Sequence, residues 1–244
     1  MKSLNDVLWS ARTREEIPTW AEKNTVVIVP IASTEQHGLA LPLDTDRRTV
    51  DYVAVKAAQL ADDVPCLVAP TIPYGVSPHH MVFPGTITFS VETTIRVLRE
   101  VCQSIAAHGF DRILILSGHG GNQDTVGAAA LELRHELGRQ IEANCWFYYV
   151  SELISETREG PVETIGHAGE SEASAIMMLA PELVRRDRMK VVPGISDDPS
   201  LGTPEKGRII LDGAAEAVAE RVRYLAAQPG RKVVGIQTVE KKEE

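Results

Sequence analysis

Short apolar runs of strand length, each followed by residues at helical spacing, restrict the folds open to this chain. Val26-Val27-Ile28-Val29 sits in an apolar run over residues 25–31, and Ile113-Leu114-Ile115-Leu116 completes another over 112–116. Neither alternates with polar residues, which is how a strand buried on both faces reads. Cys66-Leu67-Val68-Ala69 is shorter and is stopped by Pro70. Residues 86–89 are strand-like after a loop rich in Pro and Gly, and the aromatic stretch 144–150 reads as a further strand. Helical spacing fills the intervals. Val50, Val53, Ala54, Ala57 and Leu60 mark a helix over about 47–60. Ser90 stands as the N-cap of a helix with Val91, Ile95, Leu98, Cys102 and Ile105 on one face and Gly109 at its C-terminal end. Gly138 stops a helix over about 125–137, residues 170–179 are helical up to Pro181, and a last helix covers about 211–225. This alternation predicts right-handed βαβ crossovers and an α/β fold, with a largely parallel sheet covered on both faces.

There is no internal repeat and no linker long enough to divide the 244 residues, so one domain is expected, with a flexible tail over about 230–244. The formal net charge is −9, from 25 Lys+Arg against 34 Asp+Glu, without a basic stripe. That balance argues against nucleic acid or an anionic membrane as partner. Cys66, Cys102 and Cys145 are widely spaced among apolar neighbours and read as buried thiols rather than a disulfide framework. The apolar runs are too short to span a bilayer, and the first residues do not make a secretory signal, so a cytoplasmic location is expected.

Chemistry concentrates where strands end. Directly after the first run comes Thr34-Glu35-Gln36-His37-Gly38, and Asp46 stands eleven residues beyond Glu35. In an extended chain Glu35 and His37 leave the same side of the backbone. With a second carboxylate from the following loop they form a donor set suited to a divalent metal. A polar loop whose acids cap the next helix accounts for Asp44 or Asp46 singly, but not for Glu-x-His just before them. Ser117-Gly118-His119-Gly120-Gly121-Asn122 follows the run at 112–116. It is a poor phosphate loop: the third glycine of a dinucleotide fingerprint falls at Gln123, and no Lys completes a Walker loop. It does offer an imidazole on a turn free of bulk. Glu35 and His119 both fall at the carboxyl ends of strands, where ligands collect in open α/β sheets. Gly166-His167-Ala168-Gly169-Glu170 opens another helix, and His167 and Glu170 share one face if both are helical. Glu170 taken alone also suits the positive end of that helix dipole. His79 and His80, in the loop over 74–86, read as surface or pocket-lining residues, and the aromatics 146–149 as sheet core. There is no Gly-x-Ser-x-Gly elbow and no Cys beside a His, which leaves metal-activated water as the nucleophile.

Five segments in order carry a resemblance: Glu35-Gln36-His37-Gly38 with Asp46, the loop 74–86 ending Phe-Pro-Gly-Thr, Gly118–Asn122, His167-Ala168-Gly169-Glu170, and Asp198-Pro199 with Thr203–Gly207. Together they resemble the creatininase family of metal-dependent amidohydrolases. The resemblance implies a single three-layer α/β/α domain holding two divalent ions, zinc or manganese, with iron in some relatives. By position, Glu35 and His119 would hold one ion, His37 the other, and Asp46 would bridge both. His167 matches a catalytic histidine that shuttles protons, and a metal-bridging hydroxide would attack the amide carbon. In creatininase a substrate-contacting Tyr and then a metal-binding Glu follow the glycine-loop histidine, where this chain has Gly120 and Gly121. Glu170 is therefore the candidate for the missing carboxylate, as metal ligand or catalytic group. A family histidine is also replaced by Ala40. The expected activity is hydrolysis of a C–N bond in a small amide, cyclic amide or formamide, the alternative in the family being a peptidase acting on a short peptide precursor. A homo-oligomer, a hexamer by the resemblance, is expected. The rival from another class is a non-catalytic α/β module binding a phosphate or nucleotide at Gly118–Asn122.

Overall fold

In the computed structural model, which describes residues 2–229, four strands form one parallel sheet in the order β2-β1-β3-β4. They are β1 (Val26–Ile31), β2 (Cys66–Val68), β3 (Arg112–Ser117) and β4 (Gln140–Cys145). The apolar runs become the two central strands because both of their faces are covered: every residue of β1 and of β3 is buried. Their registers match to the end, with Ile31 beside Ser117 and the Gly118 amide donating to the Ile31 carbonyl at 2.9 Å. The expectation of an α/β/α fold with a parallel sheet is met.

Alternate residues of each strand feed opposite cores. Val27, Val29, Leu67, Ile113, Ile115 and Ile141 point to one face, packing with α4 (Val91–Ala107) and α5 (Gln123–Leu137). Val26, Ile28, Val68, Leu114 and Leu116 point to the other, under α3 (Thr45–Leu60) and α8 (Pro204–Ala227). The short helices α1 (Leu4–Val7) and α2 (Ile17–Glu22) precede the sheet, and α6 (Ser151–Thr157) and α7 (Glu170–Leu179) follow it. Ser90 caps α4 by accepting from the Thr93 amide, and Gly138 ends α5 in the left-handed conformation at φ 64°.

Three expectations need correction. The aromatic stretch 144–150 is not a strand: β4 ends at Cys145, and Trp146–Val150 forms a 3-10 turn. Here β4 is an edge strand whose polar Gln140, Glu142 and Asn144 alternate with buried Ile141 and Cys145, so the apolar run begins only after the sheet has ended. Residues 86–89 contribute isolated bridges, Ile87 to Thr34 and Thr88 to Gly75, in place of a strand. The last helix starts at Pro204, seven residues earlier than its apolar spacing indicated, because Thr203 caps it by accepting from the Lys206 amide. The tail expected to be flexible over 230–244 lies outside the described residues.

The chain passes from β1 outward to β2 and then returns across β1 to β3, so the strand order reverses between β1 and β3. The crevice beyond their carboxyl ends is the place where such sheets bind ligands.

Candidate metal centre

The acids and imidazoles of the centre arrive on four separate segments. Glu35 and His37 follow β1, Asp46 sits in the first turn of α3, His119 follows β3, and Glu172 lies in the first turn of α7. All five are buried, at 0, 1, 1, 4 and 7% exposure. Three carboxylates taken out of water at one point require compensating cations. The approach of β3 to α3 depends on Gly118, since a Cβ there would collide with the Asp46 carbonyl and stand 3.0 Å from Val50 Cβ.

The donor atoms converge. His119 Nδ1 lies 3.1 Å from Glu35 Oε1 and 3.2 Å from Asp46 Oδ2; His37 Nε2 lies 3.2 Å from Asp46 Oδ1 and 3.5 Å from Glu172 Oε2. Three sets of donors could hold an ion: Glu35–Asp46–His119 and His37–Asp46–Glu172, fully buried and sharing Asp46, and Glu35–His37–His167, in which His167 is only half-buried. In spite of these separations, Glu35 Oε1, His37 Nε2 and Asp46 Oδ2 have no hydrogen-bond partner. All three atoms are buried at one place without an aligned partner. Tetrahedral ligands at about 2.0–2.1 Å from a zinc ion stand about 3.3 Å apart, which is the spacing seen here.

The outward nitrogen of each imidazole is held by the protein. His37 Nδ1 donates to the Glu35 carbonyl at 3.1 Å, and His119 Nε2 donates to the Val76 carbonyl at 3.1 Å. That leaves His37 Nε2 and His119 Nδ1 facing the cluster, the arrangement that orients histidine ligands in metal sites. The Ser77 hydroxyl donates to Glu35 Oε2 in a short hydrogen bond and lies 2.6 Å from Ser33 Oγ. Asn122 ties the loops together, accepting from the Val76 amide at 2.8 Å and donating to the Ala32 carbonyl at 3.2 Å.

Burial opposes charge on His119, but Asp46 and Glu35 outweigh it and lift the imidazole to about 10. His37, against the same penalty, is raised well above its ordinary value by Glu172 and Asp46. Burial pushes the Glu35 carboxyl up, yet His119, His37 and Ser77 together hold it below the usual carboxylate range. Glu172 is likewise kept low against burial, by His37 and His167. Burial and the charge of His37 lower His167, and burial with His167 lowers His80 to about 4.

Of the residues singled out in the sequence, Glu35, His37, Asp46 and His119 are brought together and Glu170 is not. Its carboxylate faces away from the cluster, accepting from Lys206 Nζ at 2.6 Å and from the Glu159 and Gly160 amides, near Arg158. The carboxylate that reaches the cluster is Glu172. The shared-face argument for His167 and Glu170 fails because the intervening residues are not helical: Ala168 has φ 52° and Gly169 is extended. Residues two apart on a helix lie about 200° apart around its axis, so Glu172 presents to the centre while Glu170 turns to the ion cluster behind it. The Ala168 amide donates to Glu172 Oε2 at 2.5 Å. A small apolar cluster packs Ala40 and Leu41 of the His37 loop against Ala173, Ile176 and Met177 of α7, fixing His37 opposite Glu172. The one sequence signal for Glu172 was a second acid, beside Glu170, on a short helix whose remaining residues are small or apolar.

A pocket of about 480 Å³ opens over the cluster. Asp46, His80, His119, His167 and Glu172 line its polar side, Phe147, Tyr148, Ile154, Ile165 and Ile195 its apolar side, and the exposed His79 also borders it. Phe147 and Tyr148, expected in the sheet core, thus form a pocket wall. His167 Nδ1 is 3.5 Å from Glu35 Oε1. At Gly121 a Cβ would meet the Val76 carbonyl at 2.6 Å, so the site accepts no side chain there; at Gly120 a Cβ would meet only Phe147, at 3.8 Å.

The chain matches known proteins over most of its length. The family model described as "Creatininase: Creatinine amidohydrolase" matches residues 10–222. The chain is 31% identical over 243 residues, 88% of each chain, to the mycofactocin precursor peptide peptidase of Mycobacterium ulcerans (strain Agy99). It is 32% identical over 191 residues to a 2-amino-5-formylamino-6-ribosylaminopyrimidin-4(3H)-one 5'-monophosphate deformylase of Methanothermobacter thermautotrophicus, covering 76% of this chain and 68% of that one. It is 23% identical to the creatinine amidohydrolase of Pseudomonas putida over 240 residues, 83% of this chain and 90% of the relative. A creatinine amidohydrolase crystal structure superposes with a TM-score of 0.80 at 22% identity, covering 92% of this chain and 99% of that one. A manganese form of creatininase gives 0.79 at 23% identity, covering 91% and 100%.

Proposed function

The chain belongs to the creatininase, or creatinine amidohydrolase, family, and on that premise we propose that it is a two-metal hydrolase of amide C–N bonds. The observation that carries the reading is the pair of buried donor sets sharing Asp46, with three of their atoms lacking any hydrogen-bond partner. Glu35, Asp46 and His119 would hold one divalent ion, and His37, Asp46 and Glu172 the other. When bound, such ions supply Lewis acidity to a carbonyl oxygen and make a water acidic near neutral pH. The protein's own contribution is geometric. The Glu35 and Val76 carbonyls fix the two ligand imidazoles, and Asp46 sets the separation of the two sites. His167, whose Nδ1 faces Glu35 Oε1, stands where a proton from attacking water can be received and returned to the leaving nitrogen.

The substrate under this reading is a small amide, cyclic amide or formamide. A short peptide is the second reading, supported by the space at Gly120 beside Phe147 and by the similarity to a precursor-peptide peptidase. A homo-oligomer with a small-molecule substrate remains part of the same proposal. Among the described residues no helix is long and apolar enough to cross a membrane. The test is to strip the protein with chelator, reload it with zinc, manganese or iron, and screen cyclic amides, formamides and short peptides. Turnover that needs two ions per chain is expected. A metal-free protein that binds nucleotide by calorimetry and hydrolyses none of these would favour the phosphate-binding module instead.

Ion uptake should also release protons. The metal-free centre holds protons on His37 and His119 at pH 7, since both are raised, whereas ligation requires bare nitrogens. Affinity should therefore rise with pH by about tenfold per unit for each proton displaced, levelling off for His119 near about 10. Calorimetry in buffers of different ionisation enthalpy measures the proton count directly. A count of zero at pH 7 contradicts this picture of the centre.

A further inference from the structure

The Gln36 side chain can be oriented from its contacts. Its Oε1 accepts from the Gly38 amide at 2.9 Å, and its Nε2 donates to the Gly194 carbonyl at 2.5 Å. One hydrogen remains on Nε2, with two imidazole nitrogens in reach: His80 Nδ1 at 3.1 Å and His167 Nε2 at 2.9 Å. His167 Nε2 also lies 2.9 Å from the Gln36 backbone carbonyl. A carbonyl only accepts, so His167 Nε2 carries a hydrogen and cannot accept another from the Gln36 amide. The remaining amide hydrogen therefore belongs to His80 Nδ1, and the proton of His80 sits on Nε2.

Both rings are thus the same tautomer, stacked 4.2 Å apart, and yet they present opposite nitrogens to the centre. His167 offers a bare Nδ1, 3.5 Å from Glu35 Oε1. His80 offers an N–H whose Nε2 is 3.7 Å from the same oxygen, too long for a hydrogen bond. One glutamine makes an acceptor of one pocket histidine and a donor of the other.

We propose that His80 is a second catalytic residue, whose Nε2–H donates a hydrogen bond to the substrate carbonyl oxygen as that oxygen gains charge, and that Gln36 is the positioning residue that fixes this tautomer. His80 keeps its proton throughout; its part is electrostatic, as a neutral imidazole polarising a carbonyl. The inference rests on the hydrolase reading above and adds to it a donor that faces the base.

The experiment uses the zinc-loaded protein. His80→Phe keeps the ring and removes both nitrogens; kcat should fall roughly 10²- to 10³-fold, the loss typical of one oxyanion donor, with KM within about threefold and both ions retained. His80→Gln, which restores an N–H near the Nε2 position, should recover part of that loss. Nitrogen-15 NMR should show His80 with a protonated Nε2 and a bare Nδ1, and Gln36→Glu should move the proton to Nδ1. Unchanged kcat in His80→Phe, or loss of an ion from it, would overturn the proposal. A wild-type hydrolase whose His80 carries its proton on Nδ1 would sink this inference alone. Absence of hydrolysis by the wild-type protein would sink the hydrolase reading and the catalytic role of His80 with it.

Discussion

Asp46→Ala is expected to empty both metal positions at once and to lower kcat/KM by on the order of 10³-fold or more. Asp46 is the residue common to the two donor sets: Oδ1 faces His37 Nε2 and Oδ2 faces His119 Nδ1, each at 3.2 Å. Removing it leaves each position with one carboxylate and one imidazole. It also leaves two buried imidazoles without the anion that lies between them. The nearly isosteric Asp46→Asn separates ligand loss from misfolding, since it retains volume and one acceptor oxygen. Elemental analysis of purified protein should find neither ion in Asp46→Ala, and far-ultraviolet circular dichroism should find the α/β fold intact in Asp46→Asn. Two tightly bound ions in the alanine variant would rule out the shared position of Asp46.

Glu170 and Glu172 should behave in opposite ways although they are two residues apart. Glu172→Gln is expected to lose the ion on the His37 side and keep the one held by Glu35, Asp46 and His119, changing the metal count from two per chain to one. Glu170→Gln is expected to keep both ions and lose stability instead. Its carboxylate is paired with the half-buried Lys206, and losing such a charge-assisted hydrogen bond typically costs about 1.5–3 kcal/mol. For a chain of this size that corresponds to a fall in Tm of roughly 3–12 °C. Metal analysis and thermal melts on the two variants decide the matter. One missing ion in Glu170→Gln, with two in Glu172→Gln, would restore Glu170 to the centre and remove Glu172 from it.

These two glutamates mark where spacing along the sequence stops being informative. The segment starting at His167 reads as a candidate for the site because an imidazole and one acid, Glu170, stand together at a helix entry. Which acid points inward depended on Ala168 and Gly169, whose backbone leaves the helical region just before α7, and no spacing rule carries across such a break. Gln36, Ser77 and Asn122 lie in the segments that carry the resemblance but were given no role, for a related reason. Each is an ordinary polar residue outside the main helices and strands, and its role depends on partners 42 to 158 positions away. The aromatic run Trp146–Val150 was misread because apolar content signals burial without saying whether a sheet or a pocket wall supplies it.

What the chain's linear order settled was the parallel α/β sheet and the placing of Glu35 and His119 at strand ends. Those features follow from local periodicity, and from the rule that a strand buried on both faces must be apolar throughout. Only tertiary structure decided that five side chains from four segments share one point, that Glu172 rather than Glu170 joins them, and which nitrogen each histidine presents. Direction in space is set by the summed geometry of loops and packed helices, and hydrogen-bond partners distant in sequence then select the orientation and tautomer of each donor.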